Sequence, residues 1–169
     1  RAFAEEGITA MLPGEQPVNW RCDPIPLAIS DREFSALESG LAQRARLMEA
    51  ILDDLYGPQD LLAERLLPAG LVLGNPNFLR AGRMTGTARR ERRLMFYAAD
   101  LLRGPDGAWR VLADHTDQAS GIGYALENRR ILSRIIPELF QSQKIHPLRP
   151  YLDSCTDVLQ SMAPSDDTS

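Results

Sequence analysis

The sequence predicts an α+β fold, with β-hairpins and a small mixed sheet packed with helices. Three observations predict it. Phe34, Leu37, Leu41, Met48, Ile51, Leu52 and Leu55 recur at helical spacing over residues 31–56. Two apolar-rich runs over 94–115 flank the turn Gly104-Pro105-Asp106-Gly107, the pattern of a β-hairpin. Helices and strands follow one another without the alternation of a repeated βαβ fold.

Taken in order, Gly7-Ile-Thr-Ala-Met-Leu12 is a short apolar run closed by Pro13-Gly14 and reads as a strand. Residues 18–29 are extended, because each proline pushes its predecessor out of the helical region. Helix 31–56 opens on a capping box. The Ser30 hydroxyl accepts the third amide, and the Glu33 carboxylate reaches back to the cap amide. Gly57 ends it as a left-handed cap and Pro58 stops it. A short helix follows at about 59–66, leading into Pro68. Leu71-Val-Leu73 reads as a short buried strand, and Asn75 as a turn former. Residues 79–93 carry six arginines (80, 83, 89, 90, 92 and 93) without apolar periodicity, the pattern of a mobile, solvated loop. Beyond the hairpin come a helix at about 123–136, a short segment from Pro137, and a helix at about 151–163. That last helix places Leu152, Cys155, Leu159 and Met162 on one face. The expected layout is a single portion over 1–163 and a disordered tail over 164–169.

At 169 residues, 44% hydrophobic and 25% charged, the chain has ordinary globular composition. A net charge of -4 argues against a general nucleic-acid binder. No apolar run approaches the roughly 20 residues that span a bilayer, so no membrane partner is expected. Arg1-Ala-Phe-Ala-Glu-Glu6 lacks the apolar segment of a signal peptide, and position 1 is not Met. A cytoplasmic piece of a longer protein is therefore expected. Cys22 and Cys155 are far apart and unpatterned, as two reduced thiols would be.

Candidate chemistry concentrates at the hairpin and the helix after it. A four-residue turn would set Asp100 opposite Val111, with Ala113 diagonal to it at roughly 7–8 Å. Mg²⁺ wants oxygen ligands, which alanine cannot offer and which the imidazole of His115 replaces poorly. Asp100, Asp114 and His115 are either the remnant of a metal site or a solvated hairpin surface. Ala119-Ser-Gly-Ile-Gly-Tyr124 precedes a helix whose first amides attract anions; Ser120 is equally a plain helix cap. Glu127, Asn128, Arg129 and Arg130 are either a solvated face or a polar network against the hairpin. The arginine run could also dock an acidic partner. No nucleophile elbow, Cys–His pair or zinc pattern is present.

Several further stretches recur in one order: Asp23-Pro-Ile-Pro26, Leu41-Ala-Gln-Arg-Ala-Arg46, Asp54-Leu-Tyr-Gly57 and Leu71-Val-Leu-Gly-Asn-Pro76. They continue through Tyr97-Ala-Ala-Asp100, Val111-Leu-Ala-Asp114, Ser120-Gly121, Tyr124-Ala-Leu-Glu-Asn-Arg129 and Pro137-Glu-Leu-Phe140. In this the chain resembles the N-terminal portion of the bacterial circularly permuted ATP-grasp proteins of type 2, which are similar to glutathionylspermidine synthase. The resemblance implies a partial, permuted ATP-grasp-like domain. It implies ATP and Mg²⁺ held between two lobes, and a carboxylate activated as an acyl phosphate for attack by an amine. In such a family the hairpin carries Asp, then Glu-x-Asn thirteen residues on, then a turn ending Ser-Gly. Asp100, Ser120, Gly121, Glu127, Asn128 and Arg129 match this pattern. Ala113 replaces the Glu, His115 the Asn, and Ala119 a usual Pro. The resemblance thus implies Ser120, Gly121, Asn128 and Arg129 for the cofactor and Asp100, with Asp114 and His115, for the metal. The expected function is that of a fragment of an ATP-dependent carboxylate–amine ligase with a degenerate metal site, inactive in isolation. The alternative is a non-catalytic nucleotide-binding or protein-interaction scaffold. The expected partners are the remaining ATP-grasp lobe of the same polypeptide and, through helix 151–163, a second copy in a homo-oligomer.

Overall fold

The elements run in the order β1 (Thr9–Ala10), β2 (Val18–Asn19), α1 (Asp31–Leu55), α2 (Asp60–Ala63), α3 (Ala69–Leu73) and a 3₁₀ turn (Arg80–Gly82). Then follow β3 (Ala98–Arg103), β4 (Trp109–His115), α4 (Ile122–Ile135), α5 (Pro137–Ser142) and α6 (Arg149–Ser161). The strands form two separate antiparallel pairs, β1 with β2 and β3 with β4, so the fold is α+β. The structure, a computed structural model, describes residues 5–10, 14, 16–82, 92–117, 119–143 and 145–161. The chain divides into two compact units, residues 29–119 and residues 1–28 with 120–169.

In the 29–119 unit, α1 starts where the capping residues predict. Ser30 Oγ accepts from the Glu33 amide at 3.3 Å. The other half of the capping box does not form. The Glu33 carboxylate turns to the hairpin, where it accepts from Trp109 Nε1 at 2.7 Å and lies 3.2 Å from the Arg103 guanidinium. An indole N–H leaving water needs an acceptor, and that demand outweighs a cap amide that solvent can satisfy. At the other end, Gln59 rather than Gly57 takes the left-handed conformation, with φ of 65°. Gly57 serves a different purpose. A Cβ there would sit 2.5 Å from the Asp53 carbonyl oxygen, so the close turn excludes a side chain. The Asp54 carboxylate then accepts from the first amides of α2, Asp60 at 2.8 Å and Leu61 at 3.1 Å.

Leu71-Val-Leu73 is helix α3, not the expected buried strand, and Leu71 is 73% exposed. A three-residue apolar run has no readable period, and Pro68 ahead of it favours a helix start. Asn75 does form a turn, its Oδ1 accepting from the Asn77 amide at 2.9 Å. The arginine run is not uniformly solvated. The Glu49 carboxylate accepts the Arg93 and Leu94 amides at 2.7 and 2.6 Å. Arg93 Nε donates to Asp53 at 2.9 Å, and its guanidinium lies 5.6 Å over the Tyr56 ring. Tyr56 also stacks on Phe78 and accepts from the Leu79 amide. Arg83, Arg89 and Arg90 lie outside the described residues.

In the other unit, β1 and β2 pair Thr9 with Asn19 and Ala10 with Val18. Trp20 follows β2 and stacks on Tyr124 of α4, ring centroids 4.3 Å apart. Its Nε1 donates to Asn128 Oδ1 at 2.7 Å. The Tyr124 hydroxyl donates to the Thr9 carbonyl at 3.1 Å. Arg130 and Arg134 both reach Glu6. Ile131 and Leu132 are buried on α4; with Leu55 of α1 they are the buried hydrophobic residues among those described. On α6, Leu152 and Cys155 are half-buried, but Leu159 is 56% exposed. Met162 and the tail 164–169 lie outside the described residues. Both cysteines are free thiols. Among the described residues no helix is long and apolar enough to cross a membrane.

The buried and exposed positions predict different costs. Ile131→Ala should lower unfolding stability by about 2–5 kcal/mol, as truncation of a buried aliphatic side chain does. Leu159→Ala should stay within about 0.5 kcal/mol. Parallel urea denaturation measures both, and equal losses would contradict the placement of the core.

Candidate functional site

The hairpin differs in register from expectation, and the difference decides its chemistry. Arg103 pairs with Trp109, so the loop Gly104–Ala108 holds five residues rather than four. Gly107 takes φ of 76° there, and the Gly104 amide donates to the Ala108 carbonyl at 2.9 Å. Leu101 pairs with Val111 but Asp100 pairs with Ala113, so Leu112 is an extra residue, a β-bulge. Turn and bulge each shift the register by one. Asp100 therefore faces Ala113 directly, not Val111 with Ala113 on the diagonal.

The bulge also exchanges the faces. Side chains alternate along a strand, so without the extra residue Ala113 would share the α1-facing side of Trp109 and Val111. With it, Asp114 turns to α1 instead. Ala113 and His115 join Asp100 on the opposite face. The three residues expected at the metal are thus split. Asp100 Oδ2 and His115 Nε2 lie 3.0 Å apart across the strands. Asp114, on the other face, takes Arg44 of α1 through both oxygens, at 2.9 and 2.5 Å, and accepts from the Tyr97 hydroxyl at 2.5 Å.

The electrostatics follow. The Arg44 guanidinium first, and then the Tyr97 hydroxyl, hold the Asp114 carboxyl down at about 2. Arg44 is pushed up in turn by Asp114 and stays charged. Burial, reinforced by its bond to Asp114, pushes the Tyr97 hydroxyl up. His115 is raised from its ordinary value, first by its hydrogen bond to Asp100 and then by that carboxylate's charge. Asp114 therefore stays ionised with both oxygens engaged by Arg44 and Tyr97.

The residues expected at the cofactor belong to the other unit. Gly121, with φ of 101°, occupies the cap position of α4 and has no side chain with which to cap the helix. The expected Ser120 cap does not form, so among the described residues no side chain takes the first amides of α4, the groups at which a helix attracts an anion. Asn128 gives its carbonyl oxygen to Trp20. Arg129 donates to the His146 carbonyl rather than standing in a surface ion pair. Glu127 pairs with Arg130. The network of this helix face is thus built with Trp20, His146 and Glu6.

Sequence reasoning missed Arg44, Tyr97 and Glu33. A signal for Arg44 was present: it stands three residues after Leu41 and four before Met48, a charge on an otherwise apolar stripe. Tyr97 carried no comparable mark, and the capping-box mark of Glu33 pointed to its own helix and not to the hairpin.

The α+β fold, with its acid-bearing hairpin followed by a glycine-started helix, is consistent with a partial domain of the ATP-grasp class. The chain belongs to the circularly permuted ATP-grasp type 2 family, whose sequence model matches residues 26–169. Among its relatives, the Mycobacterium tuberculosis protein Rv2567 is 40% identical over 149 residues, 88% of this chain and 17% of the relative. Mycobacterium leprae ML0605 is 33% identical over 163 residues, 96% of this chain and 29% of the relative. Synechocystis sll0335 is 34% identical over 153 residues, 84% of this chain and 29% of the relative. The chain thus spans less than a third of the length of these relatives, each described as an uncharacterized protein.

Two titrations follow from the site. The folded pKa of Asp114, about 2, lies below its ordinary 3.8. Its contribution to stability is therefore full above that ordinary value and is lost as pH falls towards 2. Asp114→Asn should destabilise the protein most at neutral pH, with the two denaturation curves converging in strong acid; a constant offset at every pH would contradict the clamp. For His115 the sign is opposite. Its raised folded value stabilises below 6.5 and that gain fades as pH climbs through the folded value. NMR titration of the ring should show Asp100→Asn moving His115 back down, and an unmoved midpoint would break the pairing.

Proposed function

We propose that this chain is part of an ATP-grasp-type carboxylate–amine ligase, a former of peptide bonds, whose metal site is degenerate. The family supports the class of reaction. The observation that carries the degenerate site is the direct pairing of Asp100 with Ala113 on the hairpin. Mg²⁺ takes near-octahedral oxygen ligands at 2.0–2.1 Å. The outer face offers one carboxylate, one methyl group and one imidazole, a donor set that does not fit that ion. No catalytic step is assigned through it. For ATP, the open amides at the start of α4 support binding of an anionic group by Ser120 and Gly121. Asn128 and Arg129, engaged with Trp20 and His146, would brace that helix unless nucleotide displaces their present partners. The rest of the polypeptide supplies the complementary lobe and the remaining phosphate ligands.

A non-catalytic scaffold is the second reading, favoured by the same alanine. ATP titration of the complete polypeptide that carries this chain, with Mg²⁺ and with EDTA, separates the two. The ligase reading expects saturable ATP binding together with ADP release that requires both a carboxylate and an amine acceptor, such as a peptide or polyamine. Binding that EDTA leaves unchanged, with no turnover for any acceptor, would leave the scaffold; so would the absence of ATP binding.

A further inference from the structure

We propose that His115 has taken the place beside Asp100 that a divalent metal would need, and that Ala113 is the position that keeps such an ion from returning. The proposal rests on the reading of this hairpin as an ATP-grasp metal hairpin, but its chemistry comes from the strands themselves. Asp100 and Ala113 are direct cross-strand partners, and such pairs hold their Cβ atoms roughly 4.5–5.5 Å apart. At that spacing two carboxylates share one cation, whereas a methyl group has no lone pair to give. The nearest other acid on β4, Asp114, faces the opposite way with both oxygens committed to Arg44. Among the described residues no group of three or more His, Cys, Asp or Glu side chains is placed to hold a metal. Asp100 is 64% exposed as a side chain, and its close protein neighbour is the imidazole of His115 at 3.0 Å. An ion entering there would have to displace that ring and then find one carboxylate on the strands, since Asp117, whose charge also raises His115, lies beyond the end of β4.

The same geometry shows how a metal site would be rebuilt. Ala113→Glu sets a second carboxylate opposite the first. His115→Asn removes the competing ring and leaves an amide oxygen on the same face, two residues along. Because that face points away from α1, neither change removes a hydrogen-bond partner of Asp114, although His115 also helps to hold that carboxyl down.

Mn²⁺, an oxygen-seeking paramagnetic probe, is titrated into the complete polypeptide while broadening of the amides of residues 98–103 and 109–115 is followed. The unaltered hairpin should show no saturable broadening. The Ala113→Glu/His115→Asn variant should bind at least about tenfold more tightly, a gain that the further change Asp100→Ala removes. Ala113→Glu alone should show a smaller gain, and Ala113→Gln none. Saturable broadening of the unaltered hairpin that Asp100→Ala abolishes would overturn the inference, and with it the degenerate metal site, while leaving the class of reaction untouched. A double variant with unchanged circular dichroism that still fails to bind would overturn it too. Loss of ATP turnover in the complete polypeptide would instead count against the ligase reading, without touching the metal result.

Discussion

The attachment of the hairpin to α1 governs the 29–119 unit. A two-stranded ribbon is marginal by itself and needs a surface to lie on. The apolar contact available here is incomplete: an open groove of about 420 Å³ remains between α1 and β3, lined by Phe34, Leu37, Leu41, Tyr97 and Leu101 among others. Polar contacts therefore carry more of the orientation. The Arg44 guanidinium grips both oxygens of Asp114, and Glu33 receives the Trp109 indole further along the same helix. A forked donor meeting a carboxylate fixes angle as well as distance, which a greasy contact does not. Two such contacts along one helix define how the ribbon lies.

That attachment has a consequence on the far side of the ribbon. For Asp114 to reach Arg44, the strand must change the face it presents after Val111, and the bulge at Leu112 makes the change. The residue that loses its place facing the helix is Ala113, which turns outward opposite Asp100. The clamp and the altered metal position are thus two results of one backbone irregularity. Strands with strict alternation could not carry Val111 and Asp114 on one face while carrying Asp100, Ala113 and His115 on the other.

The two units differ in how they are held. Around α4, aromatic stacking of Trp20 on Tyr124 joins a network of charges: Glu6 with Arg130 and Arg134, and Glu127 with Arg130. The contacts of Trp20 and Glu6 tie residues far apart in the chain to one helix. Asn128 and Arg129 are engaged as well, with the Trp20 indole and the His146 carbonyl.

Much of the fold was legible in local chemistry. The Ser30 cap, the apolar spacing of α1, the turn at Asn75 and the hairpin around Gly104–Gly107 are each set by residues within a few positions of one another. The sequence alone also determined that position 113 has no side-chain ligand to offer, since a methyl group cannot bind an ion in any fold. Tertiary structure decided the rest. The α3 run was too short to reveal a period. Glu33 left its cap for an indole 76 residues away, and Arg44 found an acid 70 residues away. Whether Asp114 joins Asp100 or faces away from it depends on one extra residue in a strand, and with that residue in place the acid meets a charge on α1. Local rules establish which groups a chain possesses; long-range electrostatics and packing establish which of them meet.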